Sequence, residues 1–360
     1  MPTLERLRLQ AICRSLFAPT TLKAALRRLG FVQADPIRSP ARAQDLILRH
    51  RVKGYRAGDL ERRYASLNIE EDVLYAYGFM SRTIWQFLHP RNIRGMSQLE
   101  KKVFNAVREF GAMHPRELEK HFGNTRVINA WGGYSKATTR ALEHLHYRGL
   151  LRIARREKGI RIYEAVSGVQ EQVSDVVRLR KLVVAVAGVL APVPATSLMA
   201  NTARYRHLGN VRIVVSDLLN SGDLEKQTID GITYLWPPST KHSEEASRTV
   251  RFLTPFDPLV WDRLRFEHFW GWRYRFEAYT PPAKRLRGYY AMPLLWGDSV
   301  IGWANARLQK KALNVDVGFA GKRPTGSEFQ SELDAEIARL ETFLSLGNVE
   351  NSLTSEPKVR

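Results

Sequence analysis

Apolar and polar residues alternate most clearly between Gln98 and Val166. Apolar side chains recur there at intervals of three and four residues up to Phe110, which predicts a helix that ends at Gly111. The rest of the segment predicts, in order, a short helix at Pro115–Gly123, a third helix at Lys136–Arg148 capped by Ser135, and a hairpin of Leu150–Arg156 with Gly159–Val166. Three helices followed by a hairpin are typical of a winged helix, a helix-turn-helix variant whose third helix can enter the major groove.

The same order of elements repeats more faintly on both sides of this segment. Towards the C-terminus the pattern predicts helices at Leu179–Leu190, Pro194–Met199 and Val211–Leu219, then a hairpin within Leu224–Trp236. Towards the N-terminus, helical stretches at Leu4–Phe17, Thr20–Gly30 and Ala41–Arg51 fit a more divergent copy. The sequence therefore predicts a tandem array of winged-helix modules.

From Thr249 onward the chain changes to short, aromatic-rich runs that alternate like strands. These runs lie at Trp272–Tyr279, Gly288–Leu295, Ser299–Leu308 and Lys311–Val317, and a helix is expected at Thr325–Leu346. The expected fold class is α+β, with tandem winged-helix (helix-turn-helix) domains followed by a small C-terminal β-barrel-like domain. The expected domains are residues 1–95, 96–170, 171–245 and 246–346, followed by a flexible tail at 347–360.

The charge balance indicates a polyanionic partner. The chain carries 56 Lys and Arg against 36 Asp and Glu, a net charge of +20, which favours nucleic acid or an anionic membrane surface. The longest apolar run, Leu182–Leu198, is interrupted by glycine and proline and is shorter than the ~20 residues of a membrane span. We therefore expect a soluble, cytoplasmic, nucleoid-associated monomer with no membrane partner.

The residues that commonly bind metals and cofactors show no recognisable arrangement. Cys13 is the single cysteine, which excludes an internal disulfide framework and a cysteine-based zinc finger. His144 and His146 lie two residues apart in a predicted helix, so they face different sides. Gly132-Gly133 lacks the surroundings of a phosphate-binding loop. We expect neither a metal nor a cofactor.

Basic residues cluster where a winged helix contacts DNA. Six of them end the third helix of the central module or lie on its hairpin: Arg148, Arg152, Arg155, Arg156, Lys158 and Arg161. Glu157 is almost the only acid beside them in sequence, so we expect phosphate contacts, although a charged hairpin face is commonly just solvated. Weaker candidates for DNA contact are Arg38, Arg42, Arg49 and Arg51 in the first module, and Lys284, Arg285 and Arg287 in the C-terminal unit.

One short motif near the N-terminus can carry chemistry. In Gly30–Ile37, the side chains of Gln33 and Asp35 point to the same face if the backbone is extended, and Pro36 favours an extended residue before it. A carboxamide beside a carboxylate can hold and activate one water molecule. The alternative is a purely structural strand end, in which Asp35 marks the start of the next helix.

These residues, taken with two C-terminal blocks, resemble a known family. Gly30–Pro36, Ala41–Leu48, Thr254–Arg263 and Gly288–Asp298 are similar to the winged-helix family of AlkZ- and YcaQ-like (AlkX) DNA glycosylases. The resemblance implies three tandem winged helices with a β-barrel, and removal of bulky N7-alkylated purines with unhooking of interstrand crosslinks. It assigns catalysis to Gln33 and Asp35, because the YcaQ-like branch has Gln-x-Asp where the AlkZ-like branch has Gln-x-Gln.

Two segments depart from the family pattern. The family commonly has a Gly-Arg-x-Asp-type segment after its Gly-Asp turn, where this chain has Gly302-Trp303-Ala304-Asn305. A histidine is also expected near Tyr77.

The resemblance implies a monofunctional, metal-independent DNA glycosylase that acts on double-stranded DNA carrying alkylated bases or crosslinks. Alkylation at N7 already makes the base a good leaving group, so Asp35 is expected to stabilise the oxocarbenium-like sugar and orient water, while Gln33 positions that water. The alternative is a non-enzymatic winged-helix DNA-binding protein or transcriptional regulator, which releases no base. A nuclease is disfavoured because no carboxylates have the spacing of a nuclease metal site.

Overall fold

The computed structural model describes residues 3–91, 95–128, 133–167, 173–238, 247–309 and 312–345. Its mixed helices and sheets confirm the α+β class. The first segment comprises α1 (Leu4–Ser15), α2 (Leu22–Leu29), β1 (Phe31–Gln33), α3 (Ala43–Leu48), α4 (Asp59–Arg63) with a 3-10 turn at Tyr64–Ser66, β2 (Ile69–Val73), β3 (Tyr77–Ser81) and α5 (Arg82–Leu88). No helix in these ranges is both long and apolar enough to cross a membrane.

The second and third segments contain the elements that the apolar pattern predicts, with small shifts at their ends. The second comprises α6 (Gln98–Phe110), α7 (Pro115–Phe122), β4 (Arg126–Ile128), β5 (Tyr134–Lys136), α8 (Ala137–Tyr147), β6 (Leu151–Glu157) and β7 (Ile160–Ala165). The third comprises α9 (Asp175–Val189), β8 (Val193–Pro194), α10 (Ala195–Thr202) with a 3-10 turn at Ala203–Leu208, α11 (Val211–Asn220), β9 (Glu225–Ile229) and β10 (Ile232–Trp236).

Local sequence signals explain where several of these elements begin and end. Ser97 and Glu100 form a reciprocal capping box at the start of α6, and Pro115 occupies the first turn of α7. The β6–β7 and β9–β10 hairpins turn at Lys158-Gly159 and Asp230-Gly231, where all four residues have positive φ. That conformation suits two-residue turns whose twist matches the flanking strands.

The C-terminal unit differs in part from its prediction. It comprises β11 (Val250–Phe252), α12 (Pro258–Trp261), α13 (Arg263–Trp270), a 3-10 turn at Pro282–Lys284, β12 (Met292–Trp296), β13 (Ser299–Gln309), β14 (Ala312–Phe319) and α14 (Ser327–Ser345). The strands form an antiparallel sheet in the order β11-β12-β13-β14. In the described part of the chain β11 and β14 do not pair, so the predicted barrel is a half-barrel, and α14 packs against β11.

Two details of the sequence prediction are wrong. The run Trp272–Tyr279 is not a strand; its aromatic rings pack on each other and on α13, since the Trp272 and Tyr274 rings both lie within 5.4 Å of Phe266. Ser135 does not cap α8, because Ser135 pairs in β5 and Lys136 occupies the cap position. The tail at 347–360, residue 346 and the boundaries at 170–171 and 245–246 lie outside the described residues.

Three segments share one order of elements, although the first is arranged differently from the prediction. In the first, a short strand, β1, follows α2 and pairs with β3, the second strand of the β2–β3 hairpin. In the third, β8 follows α9 and pairs with β10 in the same way. In the second, Met113 follows α6 and bridges to Tyr163 in β7. The first copy therefore begins at α2, and α1 packs instead against α12 and α13.

The strand β1 lies between two apolar cores. Alternate side chains enter different clusters: Phe31 packs with α5 and the third segment, and Val32 packs with the first two segments and the C-terminal sheet. Both side chains are 1% exposed. Burial on both faces fixes the register of β1, because a one-residue slip would exchange the two faces.

Candidate active site

The backbone around Gln33 is fixed by its pairing with a glycine. Gln33 is the last residue of β1 and lies opposite Gly78 in β3. A Cβ atom at Gly78 would lie 2.4 Å from the carbonyl oxygen of Val32 and 2.5 Å from the Phe31 ring, so only glycine fits there. The Gln33 Oε1 atom is buried and has no hydrogen-bond partner. A buried acceptor of this kind is costly in the free protein and marks a candidate functional group.

Asp35 forms a local turn and does not cap the next helix. Its Oδ1 atom accepts a hydrogen bond from the backbone N–H of Ile37 at 2.9 Å, which is an Asx turn. The helix α3 begins at Ala43 and has Arg42 at its cap position, without a side-chain cap. The helix-start alternative is therefore wrong. Burial raises the pKa of Asp35, and the Ile37 N–H opposes part of that shift.

Aromatic side chains from three parts of the chain surround this motif. The Phe31 ring lies 4.9 Å from the ring of Tyr75 in the β2–β3 turn, and Tyr75 lies 4.7 Å from Trp261 at the end of α12. On the other side, the Tyr290 hydroxyl and the Thr254 Oγ1 atom are 2.9 Å apart. Burial, followed by smaller effects that include the charge of Asp35, raises the pKa of Tyr290. Residues of the C-terminal unit therefore lie beside the Gln33–Asp35 motif.

A buried ion pair joins the first segment to the C-terminal unit. Arg51 and Asp257 have fully buried side chains and meet through two hydrogen bonds, of 2.9 and 3.0 Å. The other three N–H groups of Arg51 donate to Ser15 and Ile47, so all five donors are used. The predicted DNA contact of Arg51 is wrong, because no part of this side chain reaches the surface.

Arg49 is also structural. Its side chain is 4% exposed, donates to the Phe252 carbonyl oxygen at 3.2 Å and pairs with Glu336 of α14. The predicted DNA contact of Arg49 is therefore wrong, because its guanidinium is almost completely buried against α14 and already paired. Both arginines lie just after α3 and hold the C-terminal unit against it.

The hairpin arginines of the second segment face a buried acidic strand that the sequence prediction overlooked. Glu70 and Glu71 of β2 are 1% and 0% exposed. Arg152 donates to Glu70 at 2.8 Å and also pairs with Glu164 of its own hairpin, while Arg156 donates to Glu71 at 2.7 Å. Arg161 lies 3.7 Å from Glu71. These three arginines join two segments, and the expectation that almost no acid accompanies them is wrong.

The remaining predicted DNA contacts differ in their exposure. Arg42 pairs with Glu61, and Arg148 donates to the Gly95 carbonyl oxygen. Arg155 is exposed and pairs with Glu157. The others are exposed or half-buried and form no ion pair within the described ranges: Arg38, Lys158, Lys284, Arg285 and Arg287.

Two comparisons with known proteins show which family this chain belongs to. The family model described as "DNA glycosylase AlkZ-like" matches residues 26–343. The chain belongs to the AlkZ-like family of DNA glycosylases. It is also similar to the solved structure of the Streptomyces sahachiroi DNA glycosylase AlkZ, with a TM-score of 0.61 and 14% identity over 94% of this chain and 95% of that one. DNA is therefore the substrate of this AlkZ-like protein, and its activity is that of a repair glycosylase.

The departures from the family pattern have structural partners. Asn305 donates through Nδ2 to the Arg287 carbonyl oxygen at 2.7 Å, and the Trp303 ring lies 5.3 Å from the Arg287 guanidinium. Tyr77 donates to Glu71 at 2.7 Å, and the Arg161 guanidinium lies 4.8 Å above the Tyr77 ring. The substituted residues thus support a loop and a segment interface within this AlkZ-like fold.

Sequence reasoning missed several residues around the motif. Gly78 fixes the Gln33 backbone, and Tyr75, Trp261 and Tyr290 border the site. Their spacing along the chain gives no sign that they converge. The one available signal was the acidic run Glu70-Glu71-Asp72, which is unusual in a basic chain; Glu70 and Glu71 bind the hairpin arginines.

Proposed function

We propose that this AlkZ-like protein hydrolyses the N-glycosidic bond of N7-alkylated purines in duplex DNA, with Gln33 and Asp35 as catalytic residues. The observation that supports this most is the buried, unpaired Gln33 Oε1 atom next to a half-buried carboxylate. An acceptor and a carboxylate two residues apart are suited to hold one water molecule between them. Structural stability gives no reason for an orphaned carboxamide oxygen at this position.

Each side chain has a distinct task in the proposed reaction. The Asp35 Oδ1 atom is held by the Ile37 N–H, while Oδ2 accepts no hydrogen bond within the described residues. Oδ2 is therefore the oxygen that orients or deprotonates water for attack on C1′ and stabilises the positive charge that develops on the sugar. Gln33 accepts a hydrogen bond from the same water and fixes its position. The alkylated base leaves with its electron pair and needs no general acid.

We further propose that the three segments of shared element order are tandem winged helices that bind the duplex as a monomer. They lie within 1–95, 96–170 and 171–245, and the first winged helix begins at α2. The repeated pairing of a short strand with the second hairpin strand supports this. A crosslinked base is tethered to the opposite strand and cannot rotate freely into a deep pocket. Asp35 is only half-buried at the boundary between the first module and the C-terminal unit, which suits crosslink unhooking, and we include that activity in the proposal.

The test is base release from defined duplexes. Duplex with one 7-methylguanine, or with one nitrogen-mustard crosslink, is incubated with the wild type and with Asp35→Asn, and release and binding are scored separately. We expect release by the wild type, loss of release in the variant, and equal binding by both. Release that survives in Asp35→Asn contradicts the role of Asp35. Binding to intact duplex without release of base from any adduct favours the alternative function, a non-enzymatic winged-helix DNA-binding protein or transcriptional regulator.

A further inference from the structure

A loop of the C-terminal unit exposes two large apolar side chains beside the proposed site. Tyr279 is 81% exposed and Leu286 is 82% exposed, the highest values among large hydrophobic residues of the described ranges. Both belong to residues 279–290, which connect the aromatic cluster after α13 with β12. An exposed leucine makes no stabilising packing contacts in the free protein. Binding to a partner that covers this side chain would therefore be favoured by the burial of its apolar surface.

The backbone that carries Leu286 is held firmly in place. The buried carboxylate of Glu277 accepts hydrogen bonds from the backbone N–H groups of Arg287 and Gly288, at 2.8 and 3.2 Å. On the other side, Asn305 donates to the Arg287 carbonyl oxygen at 2.7 Å. The leucine therefore projects from a fixed backbone, which lowers the entropy lost when it inserts into a partner.

The charges that flank Leu286 indicate the chemistry of that partner. The Arg285 guanidinium lies 5.1 Å above the Tyr289 ring, and that of Arg287 lies 5.2 Å from Trp272 and 5.3 Å from Trp303. Within the described residues neither arginine forms an ion pair, in contrast to Arg51 and Arg156. Aromatic rings thus orient both cations without neutralising them, which leaves their charge for phosphates.

The loop lies close enough to Asp35 to act on the same stretch of duplex. Tyr290 ends the loop and lies in the same apolar cluster that Ala34 and Ile37 pack against, which are the residues on either side of the Asp35–Pro36 step. Leu286 lies four residues before Tyr290, and four residues of chain span at most about 14 Å. That distance corresponds to roughly four base-pair steps, because the rise per base pair is about 3.4 Å.

We propose that Leu286 is a wedge that enters the base stack within a few base pairs of the damaged nucleotide, while Arg285 and Arg287 bind the phosphates beside it. Inserted leucine unstacks and kinks duplex DNA in other minor-groove binders. Here it would open the duplex at the lesion. The sugar of the damaged nucleotide could then reach Asp35 even when a crosslink prevents the base from rotating out of the stack. The wedge rests on the proposed glycosylase function, since it places the opening at the site of hydrolysis.

The test reads unstacking directly. Duplexes with one 7-methylguanine carry 2-aminopurine at one of the four positions on either side of the adduct, because its fluorescence rises when it is unstacked. Wild type, Leu286→Ala, Leu264→Ala and Asp35→Asn are compared. Leu264 is a matched control, as it is 46% exposed on α13. Base release and duplex affinity are measured on the same samples.

We expect a several-fold fluorescence rise at one position with the wild type, Leu264→Ala and Asp35→Asn, and no rise with Leu286→Ala. Base release by Leu286→Ala should fall at least about tenfold. A normal rise with Leu286→Ala, or no rise with the wild type at any position, overturns the wedge. If the wild type unstacks the duplex but releases no base, the wedge stands and the proposed glycosylase function fails.

Discussion

Arg51 and Asp257 form a buried, bidentate ion pair that connects the segment after the Gln33–Asp35 motif to the C-terminal unit. Asp257 also caps α12, since its Oδ1 atom accepts from the Leu259 N–H at 3.1 Å. The two most recognisable parts of the sequence are thus parts of one structural unit.

Asp257→Asn tests whether this pair stabilises the fold. It leaves the Arg51 charge buried without compensation, so we expect the free energy of unfolding to fall by about 3–5 kcal/mol, measured by urea titration. Asp298→Asn is the control, because the Arg8–Asp298 pair is partly exposed and should contribute about 1 kcal/mol or less. Equal effects of the two substitutions would contradict the structural role of Arg51.

Glu71→Gln tests the interface between the first two segments. Burial raises the pKa of Glu71, but the hydrogen bond and charge of Arg156 outweigh it, so the folded pKa is lowered. A lowered carboxyl pKa gives stability above the unfolded value of about 4.3 and loses it as the pH falls. We expect acid unfolding below about pH 4.3 to be less steep in Glu71→Gln than in the wild type. Glu157→Gln, at the exposed Arg155 pair, should leave the steepness unchanged.

The sequence predicted local structure well where a repeated pattern specifies it. The helices and hairpin of the second segment follow from apolar spacing, a proline at the first turn of α7 and a Lys158-Gly159 turn. Gln33 and Asp35 could be named from the Gln-x-Asp motif and the family resemblance, and Pro36 constrains the backbone of Asp35. Pairings between distant residues could not be predicted: nothing in the sequence indicates that Arg51 meets Asp257, or that Arg156 meets Glu71, because both pairs depend on how the segments pack.

DNA binding should distinguish the exposed cations from the paired ones. The logarithm of the binding constant falls with the logarithm of salt concentration, with a slope of about 0.9 for each phosphate contact. We expect Arg38→Ala to lower that slope by about one, measured by fluorescence anisotropy of a labelled duplex. Arg152→Met should lower stability and leave the slope unchanged. A reduced slope for a well-folded Arg152→Met would restore the original assignment of Arg152 to DNA.

Gly78→Ala should disturb the position of Gln33. The added Cβ atom would press on the Val32 carbonyl oxygen and the Phe31 ring, so β1 must shift. Overpacking of this kind costs about 1–3 kcal/mol of unfolding free energy. We expect base release to fall more than duplex affinity. Gly321→Ala is the control, because a Cβ atom at Gly321 meets nothing within 4 Å; an active Gly78→Ala would argue against precise positioning of Gln33.

The most direct test of the central claim is the pH dependence of single-turnover release of 7-methylguanine from duplex DNA, for the wild type and Asp35→Asn. Burial raises the pKa of Asp35, so the wild-type rate should fall with decreasing pH at a value above the ordinary ~3.9. A raised carboxyl pKa also means that ionised Asp35 does not stabilise the fold at neutral pH. We predict that Asp35→Asn unfolds no more easily than the wild type, and that it loses at least about a hundredfold in rate at the pH values where the wild-type carboxylate is ionised. A variant that keeps the wild-type rate and acid limb would contradict the assignment of Asp35 as the catalytic carboxylate.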